Sequence, residues 1–477
     1  MAHPSPIAAR VVALFALGCT TGGCHDSDGA SGLTCVGAES PTVTTVVDLA
    51  CTAEVSGNLK VAFGLAGDLS EQAPPVNVEA GGAVTIPLYG MPEASMVNWQ
   101  ATLSGEAGEE VLEGSTSTGP LPPELNPITL VTSQDTPPGF RYLLGTVFGD
   151  QPANFVLNQT GEVVWYRLVD RSLWTIEVMF SHTQSEPTLL SNEFSTDHAL
   201  DAGQVWRVSR EAEALQAYNP VQSHHVFTEL GPDAPDGAAG TIAYLALDVR
   251  PWYDAETDET VDVVGDRIVE IAPDGTTREV FSTWDWIEVT KPSEWDVPFY
   301  PQGKDWTHSN SLQYDADTDT YLLSLDHLEA LVEIRRVDGV PVRWIGPDFG
   351  GAPDGIGIAK GSLSFFHQHD AKLRDGGLLT VYATDQAEGH SGGVTYRIDD
   401  ASGTLIEVGR HGYSAGLRSA FLGQMEPLAN GNALVNFASG RAVWEVTPAE
   451  EVVWSIGVDP GTSFGQVHPF DDFYTGR

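Results

Sequence analysis

Cysteine vanishes from this chain after position 51. The four present are Cys19, Cys24, Cys35 and Cys51, and the long remainder of the 477 residues has none. A thiolate nucleophile and a cysteine-ligated zinc both need sulfur, so neither belongs to that remainder. Positive charge is scarce too: Lys and Arg total 23 against 66 Asp and Glu, a formal net charge of −43. Such a surface repels phosphate backbones and anionic membranes, which excludes nucleic acid as a partner. Long apolar runs are missing; the stretch Val11–Gly18 is too short to span a bilayer. No extended segment carries apolar residues at helical spacing, which excludes a helical protein.

What the chain does contain is a repeated strand–turn–strand unit. Six examples occur: Phe155–Trp165, Val205–Tyr218, Arg267–Phe281, Leu331–Trp344, Val394–Val408 and Val443–Trp454. Their turns hold Asp-Gly, Gln-Thr-Gly or Ser-Gly, which supply the positive φ that a hairpin needs. Their flanks alternate apolar and polar residues, the period of a half-buried strand. The units start about 50 to 64 residues apart, near the upper end for propeller blades. Upstream of a hairpin lies a further strand pair, such as Ser311–Tyr314 with Tyr321–Leu325, or Met425–Leu428 with Ala433–Phe437. Four strands repeated six times predict an all-β chain, a six-bladed β-propeller over residues 136–477. Phe464–Tyr474 is expected to close the ring on the first blade. Radial closure removes exposed sheet edges and leaves a central channel as the natural ligand site.

The N-terminal third has a different texture. Residues 1–24 carry Arg10, the apolar run and Gly18 before Cys19, the pattern of a bacterial lipoprotein signal. Lipidation is expected at Cys19; Cys24, or an ordinary cleaved signal, is the alternative. Residues 25–39 are polar and rich in Gly, Ser and Asp, as a tether is. The expected location is the periplasm or cell surface, with the lipid as the sole membrane attachment. Residues 40–135 show short alternating runs, Thr42–Leu49, Leu59–Phe63, Ala83–Leu88 and Met96–Leu103, that predict a small β-sandwich-like domain. Cys35 and Cys51 flank Val43–Leu49 and can close a disulfide in an oxidising compartment. No histidine falls in 40–135, so that segment reads as a spacer without chemistry.

Histidines recur at one place in consecutive repeats: Gln222-Ser223-His224-His225, Asp305-Trp306-Thr307-His308-Ser309-Asn310-Ser311, and Phe366-His367-Gln368-His369-Asp370. Each lies just upstream of an apolar strand. A single buried histidine is most often a satisfied core residue. Three in register around a ring predict one shared site built from His225, His308 and His369.

The run Asp305-Trp306-Thr307-His308-Ser309-Asn310-Ser311 resembles the DWxHxNS signature of the bacterial arylsulfotransferases. Gln368-His369-Asp370-Ala371-Lys372-Leu373 resembles that family's QHDAR motif. Asp266-Arg267-Ile268-Val269-Glu270-Ile271 and Leu428-Ala429-Asn430-Gly431-Asn432-Ala433-Leu434 also match, so the likeness spans roughly 140–470. It implies a propeller after a small β-domain, and sulfuryl transfer from a phenolic sulfate ester to a phenol without a cofactor. By that likeness His369 is the nucleophile that becomes sulfohistidine, and His225 and His308 hold sulfuryl oxygens or move protons. Imidazole suits both tasks near neutral pH. Trp306, Phe365 and Phe366 are candidates to stack on a phenyl ring, and Asp370 to orient an imidazole or cap the backbone.

The likeness breaks at Ser324-Leu325-Asp326-His327-Leu328. The family has an arginine where Asp326 stands here, placed to neutralise sulfuryl oxygens. A carboxylate in that place costs several kcal/mol of interaction with a sulfate. Asp326 and His327 are therefore expected to face the substrate, with Lys304, His327, Arg374 or Arg418 as compensating groups. The alternative is a non-catalytic or metal-binding ring, because a carboxylate among imidazoles also suits zinc or iron.

Overall fold

The computed structural model describes residues 32–477 except 107, 126–127, 134–136, 185–186, 196–202 and 348–353. The signal region, Cys19, Cys24 and residues 25–31 of the expected tether lie outside the described residues. Among the described residues there is no α-helix, and strands dominate.

Two antiparallel sheets come first. Leu33–Glu39, Val47–Ala53 and Gly82–Leu88 form one, and Glu71–Val78, Gly57–Leu65, Met96–Gly105 and Gly108–Ser117 the other. Their inner faces share one core, with Leu33, Leu49, Phe63, Val97 and Trp99 at its centre. Alternate residues along Met96–Gly105 are buried, the pattern of a strand with one face on a core. The tether expected over 25–39 therefore ends before Leu33, whose strand is part of the sandwich. Val43–Val46 is a turn and not the start of a strand. That turn lets Cys35 and Cys51 sit directly opposite each other in neighbouring strands, joined by a disulfide.

Six four-stranded antiparallel meanders follow, and each sequence-predicted hairpin forms the outer pair of one. Their first strands are Val178–Ser181 in the second, Ser223–Glu229 in the third, Ser309–Asp315 in the fourth, His369–Arg374 in the fifth and Gln424–Pro427 in the sixth. The first meander takes its innermost strand from the C-terminus: Thr462–Phe470 pairs with Tyr142–Gly149. The sixth takes an extra outer strand from upstream, Ile128–Ser133 on Val452–Val458. Residues 128–133 thus belong to the ring, and the boundary expected at 135 falls earlier. Gly355–Ile358 bridges the fourth and fifth meanders by parallel pairing on both sides. Neighbouring meanders touch around a closed circuit that returns from the sixth to the first. This is propeller architecture.

Sandwich and ring share apolar contacts. Val43, Val46, Tyr89 and Leu125 pack in one cluster with Leu143, Val156, Trp165 and Trp454. Thr45 Oγ1 donates to the Val164 carbonyl at 2.9 Å, and Tyr474 Oη donates to the Pro87 carbonyl at 2.8 Å.

Candidate active site

Each inner strand that carries a candidate histidine, or follows one as Ser309–Asp315 follows His308, is bulged. The register slips between His224 and Phe227, between Ser309 and Ser311, and between His369 and Lys372. Non-glycine residues take positive φ at these places: 52° at His225, 46° at His308, 48° at His367 and 49° at Asp370. Such backbone costs on the order of 1 kcal/mol per residue and re-aims side chains that regular pairing would point into the blades. Side-chain amides hold the carbonyls that the bulges release. Asn192 Nδ2 donates to the His225 carbonyl at 2.6 Å, Asn310 Nδ2 to that of Gln368 at 2.7 Å, and Gln368 Nε2 to that of Leu325 at 2.9 Å. Each of these bonds crosses from one meander to the next, so the bulges also rivet the ring.

The re-aimed side chains line one cavity of about 320 Å³, with His225, His308, His327, His367, His369 and Asp326 as its polar wall. Phe148, Trp174, Ile176, Phe299, Phe421 and Leu422 provide its apolar wall, and Glu294 also lines it. Sequence reasoning placed His225, His308, His369, Asp326 and His327 together, and all five line this space. It missed His367, although His367 stands two residues before His369. His367 lies in a bend at φ 48°, just before the strand that begins at His369, so no strand periodicity announced it.

Trp306 is not at the site. It is fully buried against Val263 and Trp295, with Trp284 edge-on at 5.2 Å. These tryptophans anchor the irregular chain from Trp284 to Gly303, which brings Glu294, Val297 and Phe299 to the cavity. Phe365 is likewise core, packed on Tyr396, and Phe366 does not line the space. Asp370 faces Lys372 Nζ at 3.0 Å instead of orienting His369. The compensating cations are engaged elsewhere: Lys304 with Asp296, and Arg374 with Glu426. Arg418 is exposed and reaches His367 only through its field. No lysine or arginine lines the cavity among the described residues.

Charge in the site therefore rests on the imidazoles. His308 Nδ1 lies 2.6 Å from Asp305 Oδ2. Burial opposes its protonation, but the Asp305 carboxylate, helped by Asp326 and Asp266, lifts it to about 9. His308 is an imidazolium at neutral pH. The Asp326 carboxylate, 3.8 Å from His367 Nδ1, raises His367 as well. Burial would push Asp326 up, yet His367, His369 and His308 around it hold it below the usual carboxylate range. His369 moves the other way, because burial lowers it and leaves a neutral ring. Its Nδ1–H donates to the His367 carbonyl at 3.1 Å, so Nε2 carries the lone pair and accepts from the Leu422 amide at 3.1 Å. His327 stacks on His308 at 4.7 Å and is lowered by burial and by that neighbouring charge.

Behind His225 lies a buried chain of partners. His224 Nδ1 is 2.8 Å from His225 Nδ1, and His224 Nε2 is 3.0 Å from Asp266 Oδ1. Asp266 also accepts from Thr307 Oγ1 at 2.5 Å and from the Ser309 amide at 2.7 Å. Asp305, His308 and His327 offer ligand atoms within 4.8 Å of one another, a spacing that a metal ion accepts. Asp326, which the sequence pointed to for a metal, is not in that group.

Fold and site together define a β-propeller with a histidine-lined cavity at the inner ends of its third to fifth blades. The arylsulfotransferase (ASST) family profile matches residues 126–455, and the chain belongs to that family. No curated protein matches. Among solved structures, a protein of unknown function from Bacteroides caccae is 15% identical, covering 70% of this chain and 100% of that one at a TM-score of 0.40. A virginiamycin B lyase from Staphylococcus aureus is 12% identical, covering 69% and 87% at a TM-score of 0.35.

Proposed function

We propose that this chain moves a sulfuryl group from a phenolic sulfate ester to a phenol, with His369 as the nucleophile. In the first half-reaction His369 Nε2 attacks sulfur, the N–S bond forms and the S–O bond to the aryl oxygen breaks. The departing phenolate takes a proton from His225 and leaves as phenol. In the second half-reaction His225 removes the proton of the acceptor phenol, whose oxygen attacks sulfur and frees His369. Charge balances, since one proton leaves the relay and one returns.

The observation that carries this reading is the pairing of a neutral imidazole, His369, with a cationic one, His308, in a mostly apolar cavity. The neutral ring supplies the lone pair, and the imidazolium faces sulfuryl oxygens where the family has an arginine. The Leu422 amide, which holds Nε2 here, turns to a sulfuryl oxygen once Nε2 bonds to sulfur. The relay behind His225 supports the proton step. A carboxylate only accepts, so His224 Nε2 carries a proton toward Asp266. Its Nδ1 then accepts from His225 Nδ1–H, which leaves His225 Nε2 to carry the mobile proton: protonated there the ring is the acid of the first half-reaction, and deprotonated there it is the base of the second.

The test is a radiosulfur-labelled aryl sulfate incubated with the protein without acceptor. Label should stay on the parent protein, be released by added phenol, and be absent from His369→Ala. Label that survives His369→Ala would refute the assignment. The second reading is a metal-binding ring, favoured by the Asp305, His308 and His327 grouping. A stoichiometric bound metal with no turnover of any aryl sulfate would decide for it.

A further inference from the structure

The Nε2 of His369 is met by a backbone amide from outside the strands. Leu422 donates that bond at 3.1 Å, standing at φ 58° in the connection between the fifth and sixth blades. A peptide unit is planar, with its C=O and N–H on opposite sides. The Leu422 N–H therefore points away from wherever the Phe421 carbonyl is held. That carbonyl accepts from Ser419 Oγ at 2.7 Å. Ser419 spends its proton there, so in the 3.0 Å contact between Ser419 Oγ and Ser439 Oγ it is Ser439 that donates. Ser439 Oγ in turn accepts from the Ala420 amide at 2.8 Å and the Phe421 amide at 3.3 Å. The bonds form a closed clasp around Phe421, from its N–H through two hydroxyls to its own C=O.

Both serines are tied to the blades. The Ser419 amide donates to Ser391 Oγ at 3.1 Å, at the start of the fifth-blade strand Ser391–Asp399. Ser439 lies in the tight turn Ala438–Gly440 of the sixth blade. Past Leu422 the chain runs through Gly423 at φ 136°, where a Cβ would overlap the Tyr382 ring. Resting on the sulfotransferase reading, we propose that Ser419, backed by Ser439, is a positioning residue for the transfer. It fixes the Phe421–Leu422 peptide so that the N–H faces the nucleophilic nitrogen first and a sulfuryl oxygen afterwards. A preorganised donor of this kind stabilises the charge that builds up on the transferring group. Without the clasp the peptide is free to turn, and a turned peptide presents its carbonyl oxygen, which repels sulfuryl oxygens. Neither serine lines the cavity, so the effect passes through this one peptide.

Ser419→Ala and Ser439→Ala open the clasp from its two ends, and Ser439→Thr keeps the hydroxyl at a half-buried position. With para-nitrophenyl sulfate as donor and phenol as acceptor, kcat should fall roughly tenfold or more in both alanine variants. KM for the sulfate ester should stay within about twofold, because the amide acts on the reacting group and not on ground-state binding. The double alanine variant should be no slower than the slower single one, and Ser439→Thr should restore the parent rate. A merely structural role would raise KM as well. Diethyl pyrocarbonate, which acylates free imidazole nitrogen, reads the same contact without turnover. Peptide mass mapping should show His369 modified several times faster in the alanine variants than in the parent or Ser439→Thr. If the parent transfers no sulfuryl group, the sulfotransferase reading fails and the modification rates still test the clasp. Parent-like kcat in both alanine variants, a loss that Ser439→Thr does not restore, or unchanged modification of His369 would each overturn the proposal.

Discussion

Asp305→Asn should convert the cation proposed at His308 into a pH-dependent one. The substitution keeps the shape of the side chain but removes the charge 2.6 Å from His308 Nδ1. Without it, burial opposes protonation with only Asp326 and Asp266 left against it, and His308 should fall from about 9 toward its ordinary 6.5. At pH 8 a group titrating near 9 is roughly 90% protonated and one at 6.5 roughly 3%, so kcat/KM should fall roughly 30-fold. At pH 5.5 both forms are mostly protonated, and the variant should recover to within about twofold of the parent. The ratio of variant to parent is the quantity to plot, because other ionisations cancel in it. Stability carries the same signature. A raised histidine stabilises the fold below its unfolded value of 6.5, and that stability is lost as pH rises through about 9. The contribution is on the order of 3 kcal/mol. Denaturant titrations should show the parent weakening between neutral pH and roughly pH 10, and the variant not. A variant-to-parent activity ratio that stays flat with pH would refute the role given to His308.

His224→Asn and Asp266→Asn should slow transfer to phenols that are protonated at the working pH and spare acceptors already ionised, so a rate series over acceptor acidity reads the relay. Equal slowing of both kinds would show that these residues only hold the fold. Trp306→Ala should cost about 3–5 kcal/mol by cavity formation and loosen the chain that carries Glu294 and Phe299. Denaturant unfolding measures the first effect, and a rise in KM for the acceptor the second. Replacing Cys35 and Cys51 by serine opens a loop of 16 residues and should lower the stability of the sandwich by about 3 kcal/mol, while kcat is unchanged.

Hairpins were the most legible part of the fold. Turn chemistry at Asp274-Gly275 or Asp338-Gly339 is local, and so is the alternation around it, so six outer strand pairs could be read directly. Two strands were not. Leu33–Glu39 looked like tether because a Gly- and Ser-rich lead runs into it, although its partner Val47–Ala53 is close by, and only the cysteine opposite Cys35 hinted otherwise. Ile128–Ser133 was hidden for another reason, since its partner is more than 300 residues later. In the site, the histidines were legible from their recurrence in consecutive repeats. Phe299, Phe421 and Glu294 were not, because irregular chain carries them and only tertiary packing brings it over the cavity. Trp306 misled through its neighbour: it stands two residues from His308 in the motif, yet its side chain turns the opposite way into the tryptophan cluster.

The double clasp of the ring sets the order in which this protein can be assembled. Ile128–Ser133 emerges early from the ribosome but must wait for Val452–Val458, and Tyr142–Gly149 waits for Thr462–Phe470. Until the last strand arrives, two sheet edges stay open at opposite ends of the nascent chain, and the ring cannot lock. Pairings of such high sequence separation fold slowly and leave strands exposed to wrong partners in the interval. The intermediate is thus a string of meanders, the first still lacking its innermost strand, that stays open until Thr462–Phe470 is made.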